Sequence, residues 1–244
     1  MALAKRIGLS HDTAMRARHL LLSLACWIAC LLPLQGQAQS PPVDLQLILA
    51  VDASGSVDND EWTLQLKGYV QALRDPEVHR AIRSGGEHQA IAVTFIQWSG
   101  YSYQAQVLDW TRISSAGEAN QFADRLAATS REIFGGGTSL SGIIDFGVRE
   151  FGRCPFPAPR RVLDISGDGM NRNSRPAAEA RDEAVARGIT INGLPILGSE
   201  DDLDRWYQAN VVGGSGAFMI VAQDFVSFAT AIRNKLIREI ASRD

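Results

Sequence analysis

The stretch "LQLILAV" (45–51) is apolar at every position except Gln46, and it runs directly into "DASGSVDNDEW". A strand this uniformly apolar is covered on both faces, as parallel strands of α/β sheets are. Trp62, Leu66, Tyr69, Val70 and Leu73 follow at i, i+4, i+7, i+8 and i+11, the stripe of a helix that lies on such a sheet. The acidic "DNDE" suits the amino terminus of that helix. The same alternation continues to the end of the chain. Strands are predicted over 89–98 and 101–110, separated only by Ser99 and Gly100 and so paired as a tight antiparallel hairpin. A helix around 115–130 and the loop "FGGGTS" (134–139) come next, then a stripe of Leu140, Ile143, Ile144, Val148 and Phe151. "RRVLDISGDG" (160–169) holds the fourth strand, and Pro176 to Gly188 bracket a helix in the usual Pro-early, Gly-late manner. The fifth strand is 189–197, a short helix lies near 201–209, and the sixth strand is 216–222. Phe225, Phe228, Ala229, Ile232, Leu236 and Ile240 mark a closing helix. The fold class expected is α/β: a doubly wound, mainly parallel six-stranded sheet with one antiparallel edge strand and helices on both faces.

Residues 1–38 read differently. Lys5, Arg6, Arg16 and Arg18 precede an apolar run from Leu20 to Leu34, and small and polar residues follow through Ser40. That order is the one of a secretory signal peptide, cleaved after Ala38. The run is about 15 residues long and contains Pro33, short of the roughly 20 that span a bilayer. A retained membrane anchor is the alternative. An exported domain over 41–244, periplasmic or secreted, is therefore expected, at a membrane only if that segment is kept. Taking the four basic residues and Asp12 of this segment from the chain's 24 basic and 27 acidic residues leaves a formal charge of −6. Such a balance does not suit nucleic acid, whose binders present basic faces. Cys154 is the one cysteine left, so no internal disulfide forms, and "RCPFPAPRR" reads as a loop.

In doubly wound sheets, ligands bind at the carboxyl ends of the strands. Asp52, Ser54 and Ser56 lie just past the first strand, Asp168 just past the fourth, and Thr138 in the Gly-rich loop ahead of a helix. Three distant segments thus bring hard oxygen atoms to one edge. Oxygen-only ligands select hard cations. Two carboxylates and three hydroxyls favour Mg²⁺, with Mn²⁺ acceptable, over Ca²⁺, which gathers more charge and often a bidentate Glu. At most five protein groups would leave one octahedral position for water or for the acidic side chain of a protein partner. The expected role is binding, not catalysis.

"DASGS", "GGGTS" and "ISGDG", in this order and on these elements, resemble the von Willebrand factor A-type (vWA) domain with its metal-ion-dependent adhesion site. All five positions of that motif are filled. The resemblance implies that Ser54, Ser56 and Thr138 bind the metal directly or by exchange with water. Asp52 and Asp168 would hold it largely through water and through hydrogen bonds to the hydroxyls. It covers about residues 43–242 and implies a vWA, Rossmann-like fold. "RRVLDISGDG" and the "WSGYSY" hairpin are further similar to an uncharacterised group of exported bacterial vWA proteins.

Simpler readings stand beside these. Asp52, Ser54 and Ser56 could cap the first helix; Thr138 and Asp168 argue against that. "FGGGTS" lacks the Gly-Lys-Ser/Thr ending of a phosphate loop. Trp98 and Tyr101 could pack the hairpin or, with Asn171, form a rim that touches a partner. A serine or metal-assisted hydrolase would need a base near Ser54, and His79 and His88 fall in a polar helix–strand connection, read as surface. A structural metal site without a partner is the third option.

Overall fold

The central strand is β1 (Leu45–Asp52), and all eight of its residues are buried. In the computed structural model, which describes residues 40–198 and 200–242, it lies between β2 (Ile91–Trp98) and β4 (Arg160–Gly167), parallel to both. β3 (Gln104–Ile113) runs antiparallel outside β2, and β5 (Thr190–Pro195) runs parallel outside β4, giving the order β3-β2-β1-β4-β5. The segment read as a signal peptide, residues 1–38, lies outside the described residues.

The helices are α1 (Asn59–Leu73), α2 (Pro76–Ser84), α3 (Ala116–Ala127), α4 (Leu140–Phe151), α5 (Ala177–Ala186), α6 (Leu203–Asn210) and α7 (Phe228–Ala241). Because successive strand side chains point to opposite faces, β1 feeds two cores. Leu45, Leu47, Leu49 and Val51 pack with residues of α1, α2, α3 and α7, while Ile48 and Ala50 pack with residues of α4, α5 and α6. The acidic start of α1 is a capping box: the Asp58 carboxylate accepts from the Asp60 and Glu61 N–H groups, and Glu61 accepts from the Asp58 N–H. Among the described residues, no helix is long and apolar enough to cross a membrane.

On the inner side of α7, Lys235 Nζ lies 2.5 Å from both Asp164 Oδ1 of β4 and Glu239 Oε1, with all three side chains buried. Asn192 of β5 donates to the same Glu239 oxygen at 3.0 Å. Burial and then the Glu239 charge push the Asp164 carboxyl up to about 8, with Lys235 opposing.

Three expectations need correction. The sheet has five strands, not six: residues 216–222 make only isolated bridges to β5, at Gly193–Met219 and Ile196–Ala222. The Asn192 side chain takes the Phe218 N–H, and Pro195 has no N–H to give, so a continuous ladder cannot form there. The hairpin is less tight than expected, with β3 beginning at Gln104, because Ser99 N–H bonds Tyr103 O and Tyr103 N–H bonds Gly100 O across the turn. His79 is not at the surface; it sits buried in α2, a helix opened by the Asp75 cap, with its ring bonded to Leu73 O at 2.8 Å.

Candidate metal centre

β2 lies on one side of β1 and β4 on the other, so the chain's winding reverses between β1 and β4. The carboxyl ends of this pair therefore frame the crevice where such sheets bind ligands. Asp52 is the last residue of β1 and Asp168 the first after β4, and both are buried. Asp52 Oδ1 accepts from the Ser54 N–H at 2.7 Å, which bends the chain back over the strand end. Ser54 Oγ lies 3.0 Å from Ser56 Oγ, and Ser56 Oγ donates to Asp168 Oδ1 at 2.8 Å, joining residues 112 apart in sequence. Ser54 is buried and Ser56 is exposed, so the cluster opens to solvent on the Ser56 side.

Thr138 arrives on the Gly-rich loop. Gly135 and Gly136 adopt φ of +78° and +87°, which side chains resist, and a Cβ on Gly136 would sit 2.9 Å from Ser99 Oγ. The loop is thereby laid on the β2–β3 turn, with Ser139 N–H bonded to Ser99 O and Gly55 N–H to Gly136 O. Thr138 Oγ1 lies 3.3 Å from where a Cβ of Gly169 would be, and Thr138 O accepts from the Arg172 N–H at 2.7 Å. All five residues expected at the site are thus brought to one strand edge.

The donor set fits a cation. Asp52 Oδ2 is buried and has no hydrogen-bond partner among the described residues. Burial and then the Asp168 charge push the Asp52 carboxyl up to about 7, against the Ser54 bonds that lower it. A dication beside Asp52 would offset the burial and the negative charge that raise its carboxyl. Beneath Asp52, a Cβ on Gly167 would stand 2.8 Å from Asp52 Oδ2 and 2.9 Å from Tyr207 Oη. The Tyr207 hydroxyl, on α6, is buried with no hydrogen-bond partner among the described residues, and burial followed by the Asp52 and Asp168 charges raises its ionisation well above the ordinary range.

The rim departs from expectation. Trp98 is fully buried: as the end of an inner strand it packs under the site, with Cζ2 3.0 Å from the Gly167 Cβ position. Asn171 is committed inward, accepting from the Ser141 N–H and Ser174 Oγ and donating to Arg175 O. Tyr101 is exposed, at 55%. Tyr103, which flanks the same hairpin tip, is more exposed still at 63%, and so is Phe134, at 73%, which the sequence reading did not single out. Also missed were Tyr207, Gln65, whose amide donates to Asp52 O, and Arg131, whose guanidinium reaches the Ala53, Ser54 and Val57 carbonyls. An arginine between two loop signals was the one visible hint.

Residues 42–244 match the family model described as "Protein of unknown function (DUF1194)". The chain belongs to the DUF1194 family. No curated protein matches this DUF1194 chain significantly. Among solved structures it is similar to proximal thread matrix protein 1 from the mussel byssus, described with a zinc-occupied metal-ion-dependent adhesion motif, at 14% identity and TM-score 0.57, covering 82% of this chain and 49% of that one. It is similar to a von Willebrand factor type A protein from Catenulispora acidiphila, at 16% identity and TM-score 0.54, covering 82% and 43%. A third is the pilus adhesin SpaC from Lactobacillus rhamnosus GG, at 14% identity and TM-score 0.56, covering 84% and 31%. The DUF1194 chain therefore has the vWA fold, and it spans half or less of the length of these structures.

Proposed function

We infer that this DUF1194 protein is an exported, metal-dependent protein-binding module. Asp52, Ser54, Ser56, Thr138 and Asp168 would hold the ion, and the carboxylate of a partner's Asp or Glu would complete its shell. The observation that carries this reading is the Ser54–Ser56–Asp168 hydroxyl–carboxylate chain beside an unpartnered, buried Asp52 oxygen. When bound, the ion would supply an electrophilic seat for an anionic oxygen. The protein's residues would orient the hydroxyls toward the ion, with both carboxylates buried behind them. Zinc in the motif of the mussel protein supports a divalent ion. Three hydroxyls and two carboxylates, with neither sulfur nor imidazole, suit Mg²⁺ or Mn²⁺ better.

Binding is favoured over hydrolysis by where the histidines fall. The His79 ring, on α2, is bonded to Leu73 O at the end of α1, and the His88 N–H is bonded to Asp44, which precedes β1 at the opposite end from Asp52. Calorimetric titration of Mg²⁺ and Mn²⁺ tests the reading. One saturable site is expected in the wild type and none in Asp52→Ala or Thr138→Ala, with circular dichroism unchanged. Pull-downs in Mn²⁺ should retain a partner that EDTA releases. Silence of the wild type toward both ions would overturn the assignment.

A further inference from the structure

The loop that carries Ser54 and Ser56 leaves a buried strand and turns at once, which takes several of its carbonyls away from the N–H donors of a ladder or helix. One side chain gathers them. Arg131 Nη2 lies 3.1 Å from Ala53 O, 3.1 Å from Ser54 O and 2.9 Å from Val57 O. Its Nη1 reaches Asp58 O at 3.5 Å and Asn59 Oδ1 at 3.4 Å, at the start of α1. Its Nε donates to Ile133 O at 2.9 Å, so the guanidinium also fixes its own loop.

The guanidinium is itself held in place. Its carbon lies 5.7 Å from the Trp62 ring centre and 5.5 Å from that of Phe134, so it sits between two aromatic rings. The backbone around it is pinned by Gln97, a buried side chain at the end of β2. Gln97 donates to Ser130 O at 2.8 Å and accepts from the Glu132 and Ile133 N–H groups. A continuous set of bonds thus runs from β2, through Arg131, to the loop of the metal motif.

We propose that Arg131 is a positioning residue for the metal site: it shapes the 53–57 loop from the carbonyl side so that the Ser54 and Ser56 hydroxyls converge before any ion arrives. This inference rests on the metal-binding reading given above. Groups that orient ligands from behind usually affect metal affinity nearly as much as the ligands do. A five-donor planar fork can reach carbonyls spread along the loop at once, whereas lysine offers three donors from a single point. A purely electrostatic role makes the opposite forecast. A cation beside the site repels a dication, so removing it would strengthen metal binding.

The test compares wild type, Arg131→Lys and Arg131→Met by Mn²⁺ calorimetry and by amide hydrogen exchange in the metal-free protein. Both variants should bind Mn²⁺ about 10- to 100-fold more weakly, as is typical when such supports are lost. Exchange at Ser54 to Val57 should accelerate, while the β1 amides of Leu47 to Ala50 keep their protection. Should Arg131→Met fail to fold, Arg131→Lys carries the comparison, since it keeps the charge and most of the stem. Wild-type or tighter Mn²⁺ affinity in the variants would overturn the role of Arg131 alone. No Mn²⁺ binding by the wild type would overturn the metal reading as well.

Discussion

Asp52 and Gly167 show how closely the site is built at the scale of single residues. Asp52 Oδ2 has no hydrogen-bond partner among the described residues, and the missing Cβ of Gly167 leaves room beside it. Gly167→Ala would place a methyl group 2.8 Å from that oxygen and 3.0 Å from Trp98 Cζ2. Overpacking of this kind costs about 1–3 kcal/mol, to be read from urea unfolding. Because the displaced atom belongs to the site, Mn²⁺ affinity should fall in the same variant; unchanged stability and affinity would show that the crowding is relieved elsewhere. The five motif residues were legible because their chemistry is written in side-chain type and spacing. Arg131 was not, since its acceptors are backbone carbonyls, which every residue carries. Trp98 was left open between packing and rim because an aromatic side chain looks the same in a rim and under a floor. Only the pairing of β2 between β1 and β3 decides which it is.

At the scale of elements, the strands and helices were legible from periodicity, and the exceptions have local causes. The stretch 216–222 has a strand's composition, yet the Asn192 side chain and Pro195 interrupt its pairing. α2 is a nine-residue helix whose cap, Asp75, and first-turn proline were read as part of a polar connection. α7 carries the least expected feature, an ion cluster under an apolar stripe. Asp164 faces Lys235 and Glu239 of α7, and burial followed by the Asp164 charge raises the ionisation of Tyr69 on α1. Burial and then the Glu239 charge hold its carboxyl well above the ordinary 3.8, so the folded state holds this proton more tightly than the unfolded chain. The stability it lends is complete below the ordinary value and is lost as the pH climbs through the folded one. The slope is at most about 1.4 kcal/mol per pH unit. Wild-type unfolding free energy should therefore drop relative to Asp164→Asn between roughly pH 5 and 8. A difference between the two proteins that stays constant over that range would contradict the shift.

For the whole molecule, an ion that binds only the folded state stabilises it by mass action. At a hundredfold excess over Kd the gain is about 2.7 kcal/mol. For a chain of this size that should raise Tm by about 5–10 °C, and EDTA should reverse it. Differential scanning calorimetry with Mg²⁺, Mn²⁺ and chelator would register the change; a Tm indifferent to all three would contradict it. The Ser56–Asp168 bond carries a further consequence. It spans 112 residues and closes only when β4 has docked on β1, a pairing of high sequence separation whose loop-closure entropy must be met first. A nascent or truncated polypeptide that stops short of β4 owns the serines but lacks the acid they meet. A site that needs both segments is therefore completed only once β4 is in place beside β1.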